Sequence, residues 1–190
     1  MYPRIESEEN TVLNLDQTRP GWLAARFKAV KKDADLAITE DCIEFEKDAL
    51  DVKMVKGNWR IIADGIWIKD FDDNKEHAET VLQIFKDCGI NEQCFVGRPN
   101  PFFEYYLSDG QAPSGDLDRE NVEVIEFNPE DLRVEDIYGD WKIMSGPEWI
   151  LDFDHEIEQA HKALKIIRKY DFTRICHVGK DETYFSYFHR

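Results

Sequence analysis

No apolar run in the 190 residues approaches the roughly 20 that a bilayer-spanning helix needs. The chain is also poor in positive charge. Its 24 Lys and Arg stand against 40 Asp and Glu, a formal net charge of −16. That deficit argues against nucleic acid as a partner, because Lys and Arg carry the affinity for phosphate. It equally disfavours adsorption to an anionic membrane. Residues Met1 to Asn10 lack the basic n-region, apolar h-region and small-residue cleavage site of a secretory signal. The expectation is therefore a cytoplasmic chain or the mature fragment of a secreted one. Cysteines are few (Cys42, Cys88, Cys94 and Cys176), with no Cys-x-x-Cys among them, so zinc-ribbon and thioredoxin-like readings fail. Each sits beside apolar residues and is expected to be a buried free thiol packing as a small hydrophobe, although an even number permits disulfides. Serine elbows, phosphate-cradling glycine loops and Walker sequences are missing too. What remains is 42% hydrophobic and 13% aromatic, too rich in core-forming side chains for a disordered chain.

The strongest internal signal is a repeat. Shifting the chain by 82 positions lays residues 42–108 over 124–190 without a gap, with 22 identities in 67 positions. Ile43-Glu-Phe45 falls on Ile125-Glu-Phe127, and Trp67-Ile68-Lys-Asp70-Phe71-Asp72 falls on Trp149-Ile150-Leu-Asp152-Phe153-Asp154. Cys94 meets Cys176, and Phe103-x-Tyr105 meets Phe185-x-Tyr187. The chain thus divides into an N-terminal extension (1–41), repeat 1 (42–108), an acidic connector (109–123) and repeat 2 (124–190). Both copies carry a net charge of −5, and the short connector carries −4. The acidity therefore belongs to the surface of a duplicated unit rather than to a tail.

Within each copy the pattern predicts ββββαββ, with the first strand weakest. Asp64-Gly65 between two β-rich runs is a hairpin signal, since both central residues need positive φ. Repeat 2 has Ser145-Gly146-Pro147 there, so its turn must be of another type. Ala78, Val81, Leu82 and Phe85 mark one face of a helix that Asp72 is expected to cap, with Asp154 in that role in repeat 2 and Gly89 as the helix stop. The expected fold is α+β: two tandem homologous units, each a small antiparallel sheet with one packed helix. An N-terminal extension would add a strand at Thr11–Leu15 and an amphipathic helix from Pro20 to Lys32.

The string Trp59…Asp64-Gly65-x-Trp67…Asp70-Phe71, the helix with Ala78 and Leu82, and Cys94-Phe-Val-Gly-Arg-Pro-Asn-Pro101…Tyr105 form a recognisable unit. It resembles an uncharacterised tandem repeat found as an accessory module in bacterial proteins, many of them predicted to be extracellular. The resemblance covers about 42–190 and implies a module more than an enzyme. It brings no catalytic residues, cofactor or ligand. Repeat 2 departs from it where Arg98-Pro-Asn-Pro101 becomes Lys180-Asp-Glu-Thr183.

Candidate chemistry is sparse. Asp70 and Asp72, recurring as Asp152 and Asp154, and Glu44, recurring as Glu126, could supply acid–base work if one were desolvated. A capping aspartate and strand-edge charges are the preferred reading. Asp70 to Asn74 lacks the glycine and glutamate of an EF-hand loop, with Val81 where the glutamate would be. The histidines are spaced unsuitably for a shared metal, and neither metal nor cofactor is expected. The aromatics offer more. Alternation along Phe102–Tyr106 is read as pointing Phe103 and Tyr105 inward and leaving Phe102 and Tyr106 partly exposed. Beside Arg98 and Asn100 they would suit a sugar or peptide. The expectation is a non-catalytic binding or structural module that contacts a protein or glycan through Arg98, Asn100, Phe102 and Tyr106. The alternatives are a small hydrolase or transferase using Asp70/Asp72 between the repeats, and an acidic inhibitor mimicking nucleic acid.

Overall fold

The computed structural model describes residues 38–115, 119–179 and 182–190. The strand expected at Thr11–Leu15 and the helix expected at Pro20–Lys32 lie outside them. The first half runs β1 (Glu40–Glu44), β2 (Asp51–Val55), β3 (Asn58–Ala63), β4 (Ile66–Asp70), α1 (Lys75–Asp87), β5 (Glu92–Val96) and β6 (Phe103–Leu107). The second half runs β7 (Val122–Glu126), β8 (Arg133–Ile137), β9 (Asp140–Ser145), β10 (Glu148–Asp152), α2 (Ile157–Lys169), β11 (Arg174–Val178) and β12 (Phe185–His189). Every element of the second half begins 82 residues after its counterpart in the first. The fold is α+β and sheet-rich. Among the described residues the strands form four antiparallel three-stranded sheets, β1-β5-β6, β2-β3-β4, β7-β11-β12 and β8-β9-β10. Each half therefore holds two sheets where the sequence suggests one. After the helix the chain returns to pair β5 with β1, and does not extend the β2-β3-β4 meander.

The turns follow from local chemistry. Asp64 and Gly65 both have positive φ (49° and 82°), as a type I′ hairpin requires. In the second half only Gly146 does (56°), because Pro147 is locked at negative φ, and the two-residue loop takes the II′ pattern. Helix α1 is capped by Asn74, whose side chain accepts from the His77 N–H, and not by Asp72. Asp72 stands at φ 50° and donates its N–H to the Asp70 carboxylate at 2.9 Å. Asp154 and Asp152 repeat that turn (φ 47°, 3.1 Å), and no side chain caps α2. Ala78, Val81, Ile84 and Phe85 form the buried face of α1.

Two apolar cores result, and each draws on both halves. One joins Ala160, Leu164 and Ile167 of α2 and Ile143 of β9 to Cys94, Val96, Phe103 and Tyr105 from the first half. The other joins Val81 and Phe85 of α1 and Ile61 of β3 to Cys176, Val178, Phe185 and Tyr187 from the second. Strand β6 of the sheet β1-β5-β6 is consequently buried on both faces: Tyr105 enters the first core and Tyr106 the second. Strand β12 of the sheet β7-β11-β12 is covered in the same way, with Phe188 and Tyr187 on opposite sides.

Cys42 and Cys94, directly opposite on β1 and β5, form a disulfide. This corrects the free-thiol expectation for that pair, and the reason is register: antiparallel pairing sets the two residues face to face. Cys88 and Cys176 are free and buried. The place 82 residues after Cys42 holds Val124, opposite Cys176. A polar clamp adds a second tie. Glu40 on β1 accepts from the Tyr105 hydroxyl and, at 3.0 Å, from that of Tyr170, and it pairs with Lys169 at the end of α2. Burial opposes ionisation of Glu40, but Lys169 and the two hydroxyls outweigh it and hold the carboxyl below its ordinary range.

Candidate functional site

The outer faces of β2-β3-β4 and β8-β9-β10 carry the most distinctive surface chemistry. Arg60 on β3 opposes Asp70 on β4, and their side chains pair at 2.6 Å. The Arg60 guanidinium also lies 3.4 Å from the centroid of the Trp67 ring, while Trp67 itself is 56% exposed. Asn58 donates to the other Asp70 oxygen at 2.9 Å. The second half builds the same figure: Lys142 pairs with Asp152 and lies 5.1 Å from the Trp149 ring, which is 59% exposed. In each half one side of the indole rests on a cation that a carboxylate holds, and much of the ring faces water. Partial burial works against ionisation of Asp70. The Asp72 N–H, Arg60 and Asn58 overcome it, so the carboxyl sits below the usual range. Asp152, held first by Lys142, is lowered too. These are firmly ionised anchoring groups.

The Arg98 region holds a second, smaller feature. Thr39, Asp41, Val96, Gly97, Arg98, Phe102 and Lys162 line a cleft of about 190 Å³ where β1 begins, β5 ends and α2 passes. Gly97 has φ +88°, and the Phe102 ring lies 2.6 Å from where its Cβ would be, so the ring packs directly on bare backbone. Arg98 stacks over Phe95 at 4.3 Å. Asn100 is exposed on the turn and does not line the cleft. Tyr106 has to be withdrawn from the expected site. It is 1% exposed and donates to Glu104, and burial followed by the Glu104 charge pushes its hydroxyl pKa far up. At the place equivalent to Phe102, the His77 ring lies flat on Tyr184, with centroids 3.6 Å apart.

Two other clusters are accounted for locally. A cleft of about 610 Å³ is lined by Glu44, Glu46, Asp48, Asp64 and Asp109, together with Phe45, Lys47 and Asn91. Within it Lys47 pairs with Asp109 at 2.8 Å and Asn91 clasps the same aspartate. Among the described residues, Cys42, Glu92 and Cys94 are the one group close enough to hold a metal ion, but the disulfide occupies both sulfurs. Burial raises the Cys88 thiol and pushes that of Cys176 up to about 11, so at neutral pH neither is a thiolate nucleophile. Among the described residues no helix is long and apolar enough to cross a membrane.

The open indoles are what sequence reasoning missed. Their signal lay in the match of Trp67-Ile68-x-Asp70 to Trp149-Ile150-x-Asp152, in which Ile68 and Ile150 are buried and the tryptophans before them face outward. Comparison with protein-family models, characterised proteins and solved structures found no match to this chain.

Proposed function

We propose that the chain is a non-catalytic binding or structural module, built from two α+β repeats (42–108 and 124–190), that contacts a protein or glycan partner. The observation that carries this reading is the pair of open indoles, Trp67 and Trp149, set 82 positions apart. Leaving more than half of an indole in water forgoes about 2–3 kcal/mol of burial at each site. Folding alone does not favour that exposure, and here it recurs. Each ring is fixed by a cation and an aspartate on a sheet, which presents a rigid aromatic surface with polar groups beside it. Such a surface suits a sugar ring or an apolar side chain of a partner. Asp70 and Asp152, being ion-paired and ionised, favour an anchoring role over proton transfer.

The test compares wild type with a Trp67→Ala/Trp149→Ala variant on a glycan array and in affinity capture, with circular dichroism as the check on folding. Binding by wild type that the folded variant loses is the expected result. Turnover in an activity screen that Asp70→Asn abolishes, without any binding by wild type, would overturn the proposal in favour of an enzyme.

A further inference from the structure

In a chain with 40 acids and 24 bases, cations find carboxylates easily, and most of those among the described residues do. Arg98 and Lys162 are exceptions. Neither makes an ion pair within the described residues, yet both line the same cleft of about 190 Å³, one from the loop after β5 and the other from α2. Two cations that meet no carboxylate among the described residues and converge from separate elements repel each other, so folding alone does not favour bringing them together. Among the described residues Asp41 is the single acid in the lining, which leaves one positive charge in excess there, inside a molecule of net −16. Thr39 adds a hydroxyl, and Val96 and Phe102 supply an apolar wall. Arg98 is held in place by stacking on Phe95, so its fork of donors is oriented in advance.

From this geometry we infer that the cleft binds a small oxyanion, a molecule carrying one carboxylate or phosphate group beside a compact body. The volume equals about six waters at roughly 30 Å³ each, room for a monosaccharide-sized ligand and not for a polymer. Among the described residues the arrangement occurs once. At the equivalent place His77 lies on Tyr184, and the positions of Thr39, Asp41 and Lys162 are taken by Asn121, Glu123 and Thr80. The inference is independent of the indole faces, which lie on other sheets.

The test titrates the whole chain with D-glucuronate and with inorganic phosphate, using D-glucose as the uncharged match, followed by amide chemical shifts and calorimetry. One or both anions should give saturable shifts centred on Gly97, Arg98 and Phe102, and the arm that saturates identifies carboxylate or phosphate as the preferred group. Glucose should give none. An Arg98→Gln/Lys162→Gln variant should bind at least about tenfold more weakly. A Lys56→Gln/Lys86→Gln variant, which removes two cations outside the cleft, should bind as wild type does. No saturation by either anion would overturn the inference. So would binding that survives in the first variant, or that falls equally in both.

Discussion

Replacing His189 with leucine should raise stability at neutral pH and remove part of the protein's acid sensitivity. His189 sits on β12, 1% exposed, and among the described residues neither ring nitrogen has a partner at good hydrogen-bond geometry, although the Arg190 backbone lies close enough to act on the ring. The counterpart on β6, 82 positions earlier, is Leu107, also 1% exposed and packed in an apolar core. A buried polar group without a partner costs about 1–3 kcal/mol. Leucine is close to histidine in volume and fits the same place on the sister strand. The variant should therefore gain about 2 kcal/mol, a rise in Tm of about 4–8 °C for a chain of this size. Burial lowers the His189 pKa from 6.5, assisted by the nearby Arg174 charge and opposed by the Arg190 backbone. The pH dependence follows. Below about pH 6.5 the unfolded chain takes up a proton that the folded imidazole refuses, so stability is intact above that value and falls as the pH drops. The loss reaches at most about 1.4 kcal/mol per pH unit. His177, also lowered by burial, keeps a slope of the same sign in the variant, so the informative quantity is the difference between the two proteins. Urea denaturation of both at about pH 8 and about pH 5.5 measures it. The gain of the variant should be larger at the lower pH. Equal stability at pH 8, or a gain that does not grow on acidification, would refute the reasoning.

Glu40→Gln should destabilise the fold by about 1–3 kcal/mol at neutral pH, since it removes a charged acceptor shared by Tyr105, Tyr170 and Lys169. Because the Glu40 carboxyl titrates below its ordinary 4.5, its contribution is present above that value and is lost as pH falls through the lowered pKa. Wild type and variant should therefore converge in urea midpoint as the pH falls below the ordinary carboxylate range. Cys42→Val copies Val124 of the second half and removes a cross-link spanning 52 residues, for a loss of about 2–4 kcal/mol. Reductant should shift the wild-type urea midpoint toward that of the variant and leave the variant unmoved.

Much of the local structure was legible in the sequence, and the misses have definite causes. Asp64-Gly65 announces its hairpin because few other pairs adopt two positive φ values in succession. The apolar spacing of α1 locates the helix, but its cap lies two residues past the expected Asp72. The Asp70 carboxylate captures the Asp72 N–H and turns the chain once more before helix begins at Lys75. Tyr106 was misplaced because strand alternation identifies an exposed face only when one face of the sheet is open. Here both faces of β6 are covered, so Tyr105 and Tyr106 are equally buried. The Cys42–Cys94 bond and the meeting of Arg98 with Lys162 depend on strand register and on which helix crosses which sheet. Neither is encoded in spacing along the chain.

The way the two cores are shared also sets the order of events in folding. Phe85 of α1 packs on Phe185 of β12, 100 residues later in the chain, with ring centroids 5.8 Å apart. Tyr105 of β6 likewise waits for Phe172. On a ribosome, helix α1 and the β2-β3-β4 meander emerge with their apolar face lacking its far wall until β12 has been synthesised. That interval of exposure, set by the length of chain still to be made, is when the nascent protein has most need of a chaperone.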